Sequence, residues 1–483
     1  MVARREMPAD PWVSVANCVT LDAFPGDRLR IQTMQATKFL PAVVRAVIMA
    51  GLISVWLPTP MRAADRTTSD RTTSDRTTWN LSTLSQPPKF RWVDETSPIR
   101  SLLYSGEPYQ GQSTEVFAFY ATPATLLGEP AAAKKGFRPP YPAVVLIHGG
   151  GGTAFPEWVQ LWAKRGYVAI SMDLSGHRPV EPKFDPQSGM LSADNKHGGQ
   201  PRTRLEHPGP DQSHAEKFDS IGGDTSDDWP LHAVSNVIRA HSLIRSFPEV
   251  DAQRTAVTGI SWGGYTTCLV ASVDNRFQAA VPVYGCGFLH EGESVQKPSI
   301  DRLDPERRAL WIRRYDPSSH LGRCRVPIFF VNGTNDKHYP LDSYLKCYRL
   351  VPGPKEIRIE VNMPHSHLSG WRPEEIGLFI DSTLRNTPAL PVPGKPKING
   401  KQAPVSYQSD LPVRSAKLNF TTDTGPLVAR KWQSVPAKVS DGLVTAEKPP
   451  ENATIWYFTL QDERNAMVST PVVFAFEANA AEK

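Results

Sequence analysis

Between residues 114 and 385 the chain alternates short apolar runs with segments of helical periodicity. TEVFAFYA, from Thr114, alternates closely enough for an antiparallel strand, and a Gly/Pro/Lys-rich turn is expected over 128–142. AVVLI (143–147) and YVAISMD, ending at Asp173, are apolar throughout, which predicts strands buried on both faces. A helix is expected between them, from Pro156 to Arg165. From Pro230 to Phe247, Val234, Val237, Ile238, Leu243 and Ile244 keep one helical stripe. TAVTG, a helix from Gly264, AAVPVYG, PIFFVNG, a helix from Leu341, EIRIEVN and a helix from Pro373 to Arg385 follow. Strands alternating with helices predict an α/β fold, a mostly parallel sheet with helices on both faces. The polar stretch 179–228 has no periodicity; fifty such residues inside a domain predict a functional loop or lid.

Beyond Arg385 the pattern changes. Residues 388–404 form a Pro/Gly/Lys linker, and SAKLNFTT, ATIWYFTLQ and VSTPVVFAF predict a small antiparallel all-β, immunoglobulin-like domain. At the other end, residues 46–57 (AVIMAGLISVWL) are uncharged, preceded by Lys38 and Arg45 and followed by Pro58, Pro60 and Ala63-Ala64. That order is the order of a secretory signal peptide, too short for a membrane span, and it predicts a translation start at Met34 and an exported protein. DRTTS-DRTTS-DRTTW, from Asp65, reads as a polar linker. The expected organisation is an extension and leader over 1–64, a linker over 65–90, an α/β domain over 91–387, a linker over 388–404 and a β-domain over 405–483.

Composition adds limits. With 40% hydrophobic and 21% charged residues among 483, the chain has ample material for a folded core. A net charge of +5 without a Lys/Arg block argues against nucleic acid as a partner, and most of that charge belongs to the leader. The 45 prolines suggest long ordered loops. Cys268, Cys286, Cys324 and Cys347 have no metal-like spacing; in an exported protein they allow three pairings.

The strongest chemical signal is Gly259-Ile260-Ser261-Trp262-Gly263-Gly264, a GxSxG turn from a buried strand into a helix. It exposes a serine hydroxyl at the positive end of that helix. A hydroxyl needs a base and a group to orient the base, expected in the order Ser, acid, His at successive strand ends. Asp336 follows PIFFVNG; His365 and His367 follow EIRIEVN. His367 is favoured as the base because it stands further into the loop, with His365 as the alternative or a substrate-binding residue. H-x-H also suits zinc, but no third ligand stands at a sensible spacing. His148-Gly149-Gly150-Gly151-Gly152 matches an oxyanion loop, with Gly150 and Gly151 as expected donors alongside the amide of Trp262. A phosphate loop would need a Lys-Ser/Thr pair that is missing. Asp173 is expected to brace loops, His241 to be a core histidine, and Trp229, His232 and residues 206–208 to form a candidate substrate wall.

IHGGGG, TGISWGGY, GTNDKHYP and NMPHSH, in this order, resemble the α/β-hydrolase superfamily over residues 114–385. Within it the chain is similar to acetyl xylan esterases, dienelactone hydrolases and prolyl oligopeptidase-type catalytic domains. Dienelactone hydrolases proper carry a cysteine where this chain has Ser261. The resemblance implies Ser261 as nucleophile, His367 as base and then acid, Asp336 as its orienting partner, and no cofactor or metal. A propeller would need roughly 300 residues, against about 50 between Ala64 and Thr114. The expected activity is therefore that of a secreted serine carboxylesterase, of acetyl xylan type, acting on an ester such as an acetylated polysaccharide. The alternatives are a compact serine peptidase and a catalytically silent binding protein on the same scaffold.

Overall fold

The computed structural model describes residues 78–195 and 201–475, all within one compact unit. The expected leader at 46–57 and the repeats up to Thr77 lie outside the described residues. The strands of the first part are β1 (Phe90–Asp94), β2 (Arg100–Ser105), β3 (Glu115–Ala121), β4 (Tyr141–Ile147), β5 (Val168–Met172), β6 (His177–Pro179), β7 (Arg202–Arg204), β8 (Val250–Ile260), β9 (Ala279–Val283), β10 (Ile328–Gly333) and β11 (Lys355–Glu360). Nine of them make one sheet in the order β1-β2-β3-β5-β4-β8-β9-β10-β11. From β5 to β11 all neighbours run parallel; β1, β2 and β3 add an antiparallel edge.

The central strands are the fully apolar runs of the sequence. Every residue of β4, β5, β9 and β10 is buried, as a sheet covered by helices on both faces requires. Their pairing brings the carboxyl ends of β4, β8, β10 and β11 to one side of the sheet, with Ile147 beside Gly259 and Gly333 beside Glu360. Loops leaving those ends therefore converge, the usual place for chemistry in a parallel sheet.

The expected polar linker at 65–90 ends earlier than its composition suggests. Trp79 is buried, its Nε1 donates to Leu231 O at 3.2 Å, and a short helix, Leu81–Leu84, follows. The tryptophan closing the last repeat anchors the chain, because burying its indole outweighs the polarity of its neighbours. The turn expected at 128–142 contains a helix, Glu129–Lys134, and the aperiodic 179–228 stretch is folded against the domain by the β6–β7 hairpin and a helical turn at Ala215–Asp219.

The C-terminal part is all β: β12 (Val392–Pro393), β13 (Gln402–Gln408), β14 (Val413–Thr421), β15 (Gln433–Ser440), β16 (Leu443–Glu447), β17 (Ile455–Asp462), β18 (Met467–Ser469) and β19 (Val473–Phe474). They form an antiparallel sheet, β12-β13-β16-β15-β14-β17-β18 with β19 on β17, that is nearly barrel-like. The expected linker at 388–404 already carries β12 and the start of β13, so it belongs to this sheet. The sheet is fastened to the first one: Ser469 Oγ accepts Ile359 N–H at 2.9 Å, and Glu375 Oε1 accepts Met467 N–H at 2.7 Å.

Candidate active site

Ser261 follows β8 and caps the helix Trp262–Val273, with φ +60° and ψ −118°. That is a costly conformation for a residue with a side chain, and it is held by Ser261 N–H on Val283 O at 2.9 Å. The turn is possible only because the helix starts so close to the sheet: a Cβ on Gly263 would stand 2.0 Å from Ile147 O. The hydroxyl then projects beyond the sheet, at the helix's positive end.

The residue that meets it is His365. Its Nε2 lies 3.0 Å from Ser261 Oγ, and its Nδ1 lies 2.6 Å from Asp336 Oδ2. Nδ1–H donates to the carboxylate, which leaves Nε2 to accept the serine proton. Asp336 is fixed in turn: its Oδ1 accepts the N–H groups of His338 and Tyr339 at 2.8 and 2.9 Å. The Asp336 side chain is completely buried while that of His365 keeps 21% of its exposure, so a substrate reaches the row from the serine–histidine end. Tyr284 and His338 flank the imidazole, each with ring centroids 4.5 Å away. Burial, and then the neighbouring His365, push the His338 pKa down.

The preference for His367 as the base is thus corrected to His365. Residue 366 is the N-cap of the helix His367–Trp371, its hydroxyl accepting Ser369 N–H at 3.1 Å. The loop ends there, so His367 turns with the helix onto Phe155, ring centroids 4.7 Å apart. Its Nε2 accepts Gly149 N–H at 2.9 Å. Burial, helped by His148 and His365, holds its pKa down at about 4, so it is neutral and can accept. The two histidines face different partners and do not form a chelate.

The glycine loop is corrected at one position as well. Gly151 N–H donates to Gln212 Oε1 at 3.2 Å, and Gly149 N–H is taken by His367. Among the described residues the amides of Gly150 and Trp262 make no such bond, the latter because it opens a helix. These two remain as candidate oxyanion donors. A Cβ on Gly149 would meet Ile260 O at 2.9 Å and Ser261 Cβ at 3.0 Å, so glycine lets the loop lie against the serine. Asp173 braces the same region, accepting from Thr153 Oγ1 at 2.7 Å and from the N–H groups of Ser175 and His177 at 2.8 and 3.0 Å.

Trp229 and His232, expected in a substrate wall, are buried behind the site. The Trp229 indole donates to Leu174 O at 2.6 Å and meets Trp262 edge-on, and His232 Nε2 binds Ser226 O at 2.7 Å. Residues missed in the sequence take the outer positions. Gln212 and Arg202 tie the long loop to the glycine loop, the latter on Gly152 O at 2.6 Å, and Lys217 Nζ lies 4.8 Å over the Trp262 ring. Burial lowers the Lys217 pKa to about 8. Nothing in an aperiodic polar stretch signals which of its side chains fold back.

Residues 124–348 match the model of the dienelactone hydrolase family, and residues 301–403 that of the PhoPQ-activated pathogenicity-related protein. Residues 124–348 thus resemble a dienelactone hydrolase family domain. The mostly parallel sheet and the strand-to-helix serine turn are those of the α/β-hydrolase fold. The acetyl esterase Axe7A of Xylanibacter ruminicola is 23% identical over 240 residues, 45% of this chain and 48% of that protein. An uncharacterized peptidase of Bacillus subtilis is 23% identical over 220 residues, 42% of this chain and 27% of that one. The match thus spans about half the length of the first and about a quarter of the second. Among solved structures, the acetyl xylan esterase from Paenibacillus sp. R4 is similar at 22% identity and a TM-score of 0.46, over 63% of this chain and 92% of that one. No helix among the described residues is long and apolar enough to cross a membrane.

Proposed function

We propose that this chain is a serine esterase in which Ser261 attacks a carboxylic ester. The observation that carries the reading is the continuous row Ser261–His365–Asp336, with 3.0 and 2.6 Å contacts at a strained strand-to-helix turn. The Ser261 proton passes to His365 Nε2 as Oγ adds to the carbonyl carbon. The amides of Gly150 and Trp262 receive the charge that develops on the carbonyl oxygen, and the buried Asp336 carboxylate stabilises the imidazolium. The intermediate collapses, the C–O bond to the alcohol breaks, and His365 returns the proton to the departing oxygen. Water, activated by the same imidazole, then hydrolyses the acyl-enzyme. Similarity to an acetyl esterase supports an acetyl ester as the substrate class, and a carbohydrate is proposed as its alcohol. Export is proposed with it, on the leader pattern ending at Ala64.

The test uses the purified chain on p-nitrophenyl acetate, acetylated xylan and a prolyl p-nitroanilide peptide, with Ser261→Ala alongside. Turnover of the two esters, abolished in Ser261→Ala, is the expected result. Turnover that survives the substitution sinks the mechanism, and cleavage of the anilide alone replaces the esterase with a peptidase. Amino-terminal sequencing of protein recovered from the medium or periplasm checks export; a start upstream of residue 46 counts against it.

A further inference from the structure

Tyr284 directly follows β9, and its backbone is left-handed, with φ +62°. Glycine takes that conformation freely; for an aromatic residue it is strained, so the position carries its side chain at a cost. The neighbouring contacts enforce it. Val283 O, one residue earlier, accepts Ser261 N–H at 2.9 Å, and Tyr284 N–H donates at 2.8 Å to Val331 O on β10, the strand that leads to Asp336. One residue later, a Cβ on Gly285 would stand 1.9 Å from Tyr265 N, so the chain is wedged against the helix that Ser261 caps. The side chain is wholly buried and runs to the loop that carries the base. Its hydroxyl donates to Pro364 O, the carbonyl just before His365, at 2.8 Å. Its ring backs the imidazole, with centroids 4.5 Å apart and 31° between planes.

We propose that Tyr284 is a positioning residue that holds His365 in line with Ser261 and Asp336. The proposal rests on the esterase reading above. The base must stay within reach of Ser261 Oγ, and then of the departing oxygen, while it carries a proton from one to the other. The segment that bears it, residues 361–366, is short, and Asn362 within it is left-handed as well, with φ +57°. The Tyr284 phenol fixes the carbonyl next to the base, and its ring limits how far the imidazole can swing. At 4.5 Å the ring also favours the imidazolium once His365 has taken the serine proton. The Tyr284 backbone is tied to the acid strand through Val331 O, and Val283 O beside it holds the nucleophile turn. One strained residue thus references the base to the other two members of the row, which is why tyrosine stands where glycine would be unstrained.

The test uses two variants of the full chain: Tyr284→Phe keeps the ring and removes the anchor, and Tyr284→Leu removes both. Sites are counted by fluorophosphonate labelling, and turnover of p-nitrophenyl acetate is measured per labelled site. In Tyr284→Phe kcat should fall about 3- to 10-fold, the worth of one hydrogen bond. In Tyr284→Leu it should fall about 100-fold, the scale of a misplaced catalytic group, with KM within twofold in both. Because the effect runs through His365, it should not add to loss of the base: Tyr284→Phe combined with His365→Ala should fall no further than His365→Ala alone. A kcat in Tyr284→Phe within twofold of the parent overturns the proposal. So does a loss carried by KM, or one that multiplies with that of His365→Ala, since either places the effect outside the base. If Tyr284→Leu does not fold, Tyr284→Phe and the double variant decide. Ser261→Ala is run in parallel. If it is inactive while Tyr284→Phe is unimpaired, only the role of Tyr284 fails; if it keeps parental turnover, the esterase reading fails and takes this role with it.

Discussion

His365 and His367 stand two residues apart, and the structure gives them tasks of very different weight. Replacing His365 with alanine removes the only imidazole that contacts both Ser261 and Asp336 among the described residues. Loss of the base in such a row costs on the order of 10⁴-fold or more in kcat. Replacing His367 with alanine removes one acceptor, for Gly149 N–H at 2.9 Å, in the loop that carries the Gly150 amide. An amide left without a partner costs about 1–3 kcal/mol. If all of that reached the transition state, at 1.36 kcal/mol per decade, kcat/KM would fall by roughly 5- to 150-fold. About two to three orders of magnitude therefore separate the variants. Initial rates with p-nitrophenyl acetate, normalised to phosphonate-labelled sites, measure the gap; the label still reports folded Ser261 in His367→Ala, and circular dichroism reports folding in His365→Ala. His367→Gln, which can offer an oxygen to Gly149, should recover part of the loss. The assignment is refuted if His365→Ala keeps more than about 1% of parental kcat/KM, or if His367→Ala falls as far as His365→Ala.

The depressed His367 pKa, about 4, sets a pH window. The unfolded chain binds this proton below its ordinary value near 6.5, so the contribution is full above that value and is lost as pH falls toward 4. Denaturant titrations should show a shallower loss between pH 6.5 and 4 in His367→Gln than in the parent; equal slopes would contradict it. Burial raises the Glu356 pKa to about 7, so its contribution runs the other way, present below its unfolded value and lost as pH rises through 7. Glu356→Gln should melt higher than the parent at pH 8 and about equal to it at pH 4; no gain at pH 8 would count against a buried, uncompensated carboxylate. Gly263→Ala would place its Cβ 2.0 Å from Ile147 O, and overpacking against backbone is not relieved by a rotamer change. Loss of soluble protein, or at least of labelling at Ser261, is expected; normal labelling would show that the elbow can open.

Much of this arrangement was legible in the sequence because it depends on short-range pattern. The buried strands announced themselves as apolar runs, and the Gly-x-Ser-x-Gly turn fixed the nucleophile because only a tight strand-to-helix corner needs small residues on both sides. Asp336 could be found from its strand. The base could not, because the decision between His365 and His367 turns on where a five-residue helix begins, and Ser366 as its cap has no distinctive neighbours. Strands β1 and β2 are not legible for a related reason: β1 is a partly exposed edge, and the buried part of β2 is only four residues long, flanked by polar positions. Gln212, Arg202 and Tyr284 owe their places to contacts with distant residues, which local composition does not encode. The C-terminal strands were readable, but not their attachment to the α/β domain.

That attachment reaches the neighbour of the acid. Asn335 Nδ2 donates to Val428 O at 3.0 Å and Arg430 O at 2.8 Å, both carbonyls of the segment between β14 and β15. Leu427 N–H, beside them, donates to Glu293 Oε2 at 2.7 Å. The turn that aims Asp336 at His365 is therefore clasped from outside by the β-domain. A protein engineer who stopped the chain after Arg385 to obtain a minimal catalyst would leave that turn unsupported, with Asn335 facing water where it now holds two carbonyls. Grafting this active site onto another scaffold means carrying both halves of the molecule, because the boundary between them is a seam of the active site and not a hinge between modules.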